Sequence, residues 1–495
     1  GGGTLQSEEL DLNDADSKLM LNSITVDSVS TSADSSGLDI DADSTVSSLS
    51  VAHITPVAIA DGITLSGAIT VTAGSIKLAE TGTLASAISM SGGVLDADES
   101  LTVSGALTQS GDITIDVADT KTLTFSTDEI ETQAYQLTLA GAGTIAFPAN
   151  ASGIVVNDAA GLLKLEGTGT LGAAEVTAVS DAGKGLAVNA SSTISSLKVE
   201  ADTELNVVNG ETFSGSTEIA ADKTLKLSGI GTFESTIDLE GTLEAGANLT
   251  VSGLISVGGD TAAVSIPAAD TTLTYTGGAL NVGEHTFSIG GAGIFGNAAG
   301  SPLVLDVADS ILNLTGSGTI SGPVKLENGT LKSTGSPTIS GDLTQYDDAT
   351  IDVTTGQTLI YSGASLSLGA NTLTLSGGGA FSNENALVLN NADSLLSLAG
   401  ILTIGDVEGT AASNAGKGIQ VSSSATLGTF DLSAVSNLAI ADLQTLAGQV
   451  RLQSNGELNI SGDGEYTGDI ELAGGKFSAT DSQVLSGTLS ITADS

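Results

Sequence analysis

The chain has 495 residues, of which 58 are acidic and 13 basic, for a net charge of −45 at pH 7. Cysteine and tryptophan are absent, histidine occurs twice and Arg451 is the single arginine. This excludes disulfide frameworks, thiolate metal sites and multi-arginine phosphate clamps, and so acidic a chain repels nucleic acid and anionic membrane.

With 40% hydrophobic and only 14% charged residues, the chain can bury a core and is no disordered acidic tail. It opens on Gly1-Gly2-Gly3-Thr4, without a methionine or a basic-plus-apolar leader, so it reads as an excised piece. No run approaches the roughly 18–20 apolar residues of a membrane helix, so no direct membrane insertion is expected. Residues 1–60 are Asp/Ser-rich, poorer in glycine and weakly periodic, and are expected to form N-terminal coils or a cap.

From about residue 61 the chain repeats itself. Ser104-Gly105-Ala106-Leu107-Thr108-Gln109, leading to Thr114-Ile115-Asp116-Val117, recurs as Ser340-Gly341-Asp342-Leu343-Thr344-Gln345, leading to Thr350-Ile351-Asp352-Val353, an offset of 236 from 114 to 350. Ser180-Asp181-Ala182-Gly183-Lys184-Gly185-Leu186 returns as Ser413-Asn414-Ala415-Gly416-Lys417-Gly418-Ile419. The chain is therefore a tandem duplication, with copies at 61–296 and 297–495. The second copy stops at Ile491-Thr492-Ala493-Asp494-Ser495 without a recognisable cap.

A shorter repeat is nested inside. Thr272-Leu273-Thr274-Tyr275 through Phe295 aligns on Thr358-Leu359-Ile360-Tyr361 through Phe381, an offset of 86 from 272 to 358. Both offsets are multiples of roughly 21 residues, too short for a domain and suited to one coil of a solenoid. Within a unit, Leu312 and Leu314 alternate with polar residues, so the period is 2 and the segments are strands, punctuated by Gly, Asn and Asp turns. No 3.6-residue stripe is present. The expected fold is all-β, a β-solenoid with coils of roughly 21 residues; the alternative is an array of β-sandwich domains.

The strings Asp222-Lys223-Thr224-Leu225-Lys226-Leu227-Ser228-Gly229 and Asn371-Thr372-Leu373-Thr374-Leu375-Ser376-Gly377-Gly378 resemble the passenger repeats of bacterial autotransporters and related large β-helical surface adhesins. The resemblance implies a right-handed parallel β-helix, secretion through the bacterial envelope and a role at the cell surface.

Catalytic chemistry has few carriers. His285 falls at the turn position that Asn371 fills in the aligned copy, and His53 has no Ser or Cys partner, so both read as solvated turn residues. Gly183-Lys184-Gly185 and Gly416-Lys417-Gly418 lack the first glycine and the hydroxyl residue of a phosphate loop and read as β-turns. No catalytic or cofactor-binding residue is assigned. Calcium is the ligand that the composition suits best. Asp39, Asp41 and Asp43 would share one face of a strand about 6.6 Å apart, and Asp11, Asp14 and Asp16 form a second cluster. The competing reading is a solvated acidic surface that keeps the chain soluble. A third group, Asp96, Asp98 and Glu99, has the same composition.

These features point to a non-enzymatic extracellular structural protein, a shaft, fibre or sheath on a bacterial surface that self-associates end to end or into a lattice. The alternative is an adhesin that binds a cell-surface receptor or glycan. A polysaccharide-cleaving β-helix enzyme is less consistent with 3% aromatic residues.

Overall fold

The computed structural model describes residues 3–6, 9–400, 402–480 and 484–492. Among them there is no helix, and strand follows strand from Gly3–Leu5 to Leu489–Ile491. Strands pair in parallel with their equivalents about one coil later: Ile76 lies beside Leu95, and Leu95 beside Ile115. The fold is thus the expected β-solenoid, built from stacked parallel strands about 21 residues apart. Sandwich domains are antiparallel, so the alternative array does not occur.

The chain forms two compact units, Gly1–Asp238 and Leu239–Ser495. This division follows contacts within each unit, whereas the duplication boundary at 296/297 is a feature of sequence. In the first unit, the Asp/Ser-rich start already makes coils: Lys18–Leu21 pairs with Gly37–Ile40, which pairs with Thr55–Ile59, which pairs with Ser75–Ala79. The expectation for the C-terminal cap falls partly on residues 493–495, which lie outside the described residues.

In the first unit each coil lays two strand runs on one sheet and one on a second, while in the second unit Leu280–Asn281, Leu303–Leu305, Val324–Leu326 and Leu343–Gln345 pair in a short sheet of their own. Val94–Ala97, for example, belongs to the second sheet, followed by Leu101–Val103 and Leu107–Gln109 on the first. Parallel pairing in register turns the period-2 pattern into columns. Ile76, Leu95, Ile115, Leu139, Leu165, Val188 and Val207 stack inward along the first unit, all buried. In the second unit Leu312, Leu331, Ile351, Leu375, Leu398 and Val421 do the same. Each fully buried aliphatic side chain contributes roughly 1.5–3 kcal/mol, so the column is what holds coil to coil. Aromatic rings pair likewise, Phe213 tilted on Phe233 at 5.2 Å in the first unit and Tyr361 stacked on Phe381 at 6.4 Å in the second.

Corners need special backbone. The long strand Thr64–Val71 bends at Gly67, whose φ of 127° is open to glycine and strained for other residues. A Cβ there would sit 1.7 Å from the Val46 carbonyl oxygen of the preceding coil, beside a register shift between Val46 and Leu49. In the second unit Gly448 (φ 138°) bends Thr445–Leu452 in the same way.

Candidate functional site

The acidic residues are the chemistry this chain has in quantity, and the structure gives each cluster its surroundings. The strand carrying Asp39 ends at Ile40, so Asp41 and Asp43 lie in the turn after it rather than on the strand face. The three carboxylates accordingly have three different environments. Asp39 pairs with Lys18 of the preceding coil at 2.7 Å. Its hydrogen bond and charge, joined by the charge of Asp41, hold the Lys18 ammonium pKa above its usual value. Asp41 is exposed. Asp43 Oδ1 accepts the Thr64 backbone N–H at 2.9 Å, closing the start of the strand one coil later.

The second cluster is also dispersed. Asp11, on the strand Leu10–Leu12, accepts the Ser32 N–H (3.2 Å) and hydroxyl (2.7 Å) from the next coil. Asp14 Oδ1 accepts the Asp16 N–H at 3.0 Å within its own turn, and Asp16 is exposed. Among the described residues no three His, Cys, Asp or Glu side chains gather as a metal site.

The clasp made by Asp43 recurs. Asp112 accepts from Gln136 N (2.8 Å) and Asp202 from Thr224 N (2.8 Å) in the first unit. In the second unit Asn248 accepts from Thr272 N (2.7 Å), Asp348 from Thr372 N (2.6 Å) and Asp406 from Thr429 N (2.7 Å). In each case a turn carboxylate or amide of one coil satisfies a backbone donor of the next, as a helix N-cap satisfies its own first turn.

The third acidic group is an electrostatic staple. Lys77 reaches Asp98 at 2.8 Å and Asp96 at 3.5 Å, and Lys121 reaches Glu99 at 2.5 Å. Partial burial pushes the Asp96 carboxyl above its usual pKa. Lys77 opposes that shift, while the like charges of Asp98 and of Asp116 in the adjacent coil reinforce it.

Both histidines sit in turns, as expected, with His53 3.9 Å from Asp34 and His285 3.5 Å from Asp260. The two Gly-Lys-Gly segments are turns with positive φ at Gly183, Gly185, Gly416 and Gly418.

Sequence reasoning overlooked the polar groups inside the coils. Asn297 and Asn383, 86 residues apart, are buried at corners; Asn383 Nδ2 donates to the Asn385 and Asp406 carbonyls and its Oδ1 accepts from Gly405 N. Gln109 and Gln345 are likewise buried at equivalent positions. Tyr361 Oη bridges Leu343 N, from which it accepts at 3.1 Å, and the Ala364 carbonyl, to which it donates. Recurrence at the offsets 86 and 236 is the signal that could have identified them. No protein-family model, curated protein or solved structure matches this chain.

Proposed function

We propose that this chain is a non-enzymatic structural protein, a β-solenoid shaft, fibre or sheath at a bacterial cell surface. The observation that carries the reading is how its polar chemistry is spent. Several of the acidic residues that had the composition of a binding site act on the neighbouring coil, as caps (Asp43 to Thr64) and as staples (Asp98 to Lys77). A chain that uses many of its charged groups to tie one coil to the next is built to hold its own form. Two further points support it: each coil adds about 4.8 Å to a stack through the same ladder geometry, and the Leu-Thr-Leu-Ser-Gly strings resemble autotransporter passengers. Surface charge of one sign keeps such a stack soluble.

Negative-stain electron microscopy of the purified protein tests this. Filaments, lattices or uniform elongated particles are expected. Globular particles, or depolymerisation of a polysaccharide that one Asp→Asn change abolishes, would overturn it; elongated particles that bind cells as monomers would transfer the chain to the adhesins.

A further inference from the structure

Six Asn-x-Ser/Thr triplets occur in the chain, beginning at Asn150, Asn189, Asn248, Asn313, Asn328 and Asn459. The triplet is the acceptor signal for N-linked sugars: the asparagine amide attacks, and the hydroxyl two residues on orients it. Such an amide reacts only where it is exposed, where nothing else holds it, and where its backbone can bend into a transferase.

In five of the six, a hydrogen bond holds part of the triplet. Asn313 and Asn459 lie on strands, where their amides donate to Ser288 (3.4 Å) and Asn437 (3.5 Å) and their carbonyl oxygens accept from Thr334 and Ser478. Asn248 caps Thr272 N at 2.7 Å, and Asn328 Oδ1 accepts Gly329 N at 2.9 Å. In the triplet of Asn189, the Ser191 hydroxyl donates to Glu211 (2.8 Å) and accepts Thr212 N (3.0 Å), so it is taken from its asparagine.

Asn150 differs on each count. It is exposed, and among the described residues no hydrogen bond engages its side chain or that of Ser152. The triplet also stands in an insertion. Ile145 pairs with Leu171 and Ile154 with Ala174 of the next coil, so the chain from 145 to 154 faces only that from 171 to 174. Residues 147–152 lie outside the strands and bulge from the corner. Ala151 N closes a turn on the Pro148 carbonyl at 3.2 Å, and Phe147 anchors the base by stacking on Phe125 at 5.6 Å. Asn150 takes a φ of 65° there, a left-handed conformation that asparagine tolerates better than most residues. The second unit lacks the acceptor: the offset of 150 from Thr122 to Thr272 puts Gly300-Ser301-Pro302 at the triplet's place, and Ser301 is buried.

We propose that Asn150 is an N-glycosylation acceptor, modified by a separate transferase from a sugar carried on a diphosphate leaving group. The step is a displacement at the anomeric carbon. The bond from Asn150 Nδ2 to that carbon forms, and the bond from the carbon to the diphosphate oxygen breaks. Its electron pair leaves with the diphosphate, and an amide proton passes to a base of the transferase. Because the bulge carries no ladder pairing, it can bend into an active site without opening the coil. The acceptor is a property of this loop and holds for a shaft and an adhesin alike, while its use in the cell rests on the surface reading above.

The folded full chain, incubated with a soluble asparagine glycosyltransferase and UDP-glucose and mapped by peptide mass spectrometry, tests the site. One hexose is expected on Asn150, added at least about tenfold faster than at the five triplets held by their coils. Asn150→Asp, which suits the same left-handed backbone, should remove that product, and Ser152→Ala should slow it to the rate of the others. Neither side chain is hydrogen-bonded in the fold, so both variants fold. No hexose on Asn150, an equal rate at Asn313 or Asn459, or an unaffected Ser152→Ala variant would overturn the site. None of these results bears on the surface reading, which electron microscopy tests separately.

Discussion

Asp43 Oδ1 accepts the backbone N–H of Thr64 at 2.9 Å across 21 residues of chain. The contact joins the end of one turn to the first residue of the strand stacked one coil later, and its equivalents at Asp112, Asp202 and Asp348 make it a repeating element of the fold. Its effect is to satisfy a donor at a strand start, where ladder pairing has not yet begun.

That geometry predicts an unequal response to two substitutions. Asp43→Ala removes the acceptor and should cost about 1–2 kcal/mol, in the range of a lost helix cap. Asp43→Asn keeps an acceptor and removes one of many like charges, so it should stay near the parent stability. Urea midpoints of the two variants check this; equal losses would assign the role to charge instead.

Corner geometry predicts a larger effect. At Gly67 a Cβ meets the Val46 carbonyl oxygen at 1.7 Å, whereas at Gly62, also at positive φ, nothing lies within 4 Å. Gly67→Ala should therefore destabilise the first unit by about 3 kcal/mol or more, combining backbone strain with a steric clash, and Gly62→Ala by about 1 kcal/mol. Denaturant unfolding of the two variants side by side provides the measurement.

A net charge of −45 makes stability depend on salt. Screening shortens the reach of repulsion to about 8–10 Å near physiological ionic strength, so the melting temperature should rise as sodium chloride is added from low salt. A melting temperature independent of salt would mean that the staples at Lys18, Lys77 and Lys121 already compensate the repulsion locally.

Asp96 gives a pH-dependent term of defined sign. Its carboxyl is held above the ordinary value of 3.8 mainly by burial, so folding favours the neutral form. The stability it contributes is present at low pH and is lost as pH rises through the ordinary value towards the raised one. Asp96→Asn should remove that loss while Asp98 retains Lys77, making the variant at least as stable as the parent at neutral pH. Unfolding free energies of both proteins from about pH 4 to pH 7 isolate the term, because repulsion among the other charges is nearly common to the two. A constant difference between them over that range would exclude Asp96 as its source.

Loss of a buried hydroxyl supplies a further measure. Tyr361→Phe leaves Leu343 N without the acceptor it finds at 3.1 Å and should cost about 1–3 kcal/mol, read as a lower urea midpoint with an unchanged slope.

Much of this architecture is legible in the amino-acid order, because a solenoid is nearly one-dimensional. Alternation of Leu312 and Leu314 marks a strand, and offsets of 86 and 236 show that strands recur, so the apolar residues must form columns. What the order could not convey was the role of the acidic residues. Asp39, Asp41 and Asp43 look alike by spacing, yet they become a salt-bridge partner, a solvated side chain and a cap, because the strand ends at Ile40 and the turn redirects the residues beyond it. The same holds for Gln109, whose Nε2 reaches the Thr132 carbonyl of the next coil while its buried Oε1 finds no donor. Period and composition are local and survive in one dimension. The partner of each polar group is set by turn geometry and by the coil stacked against it, and those exist only once the chain has wound.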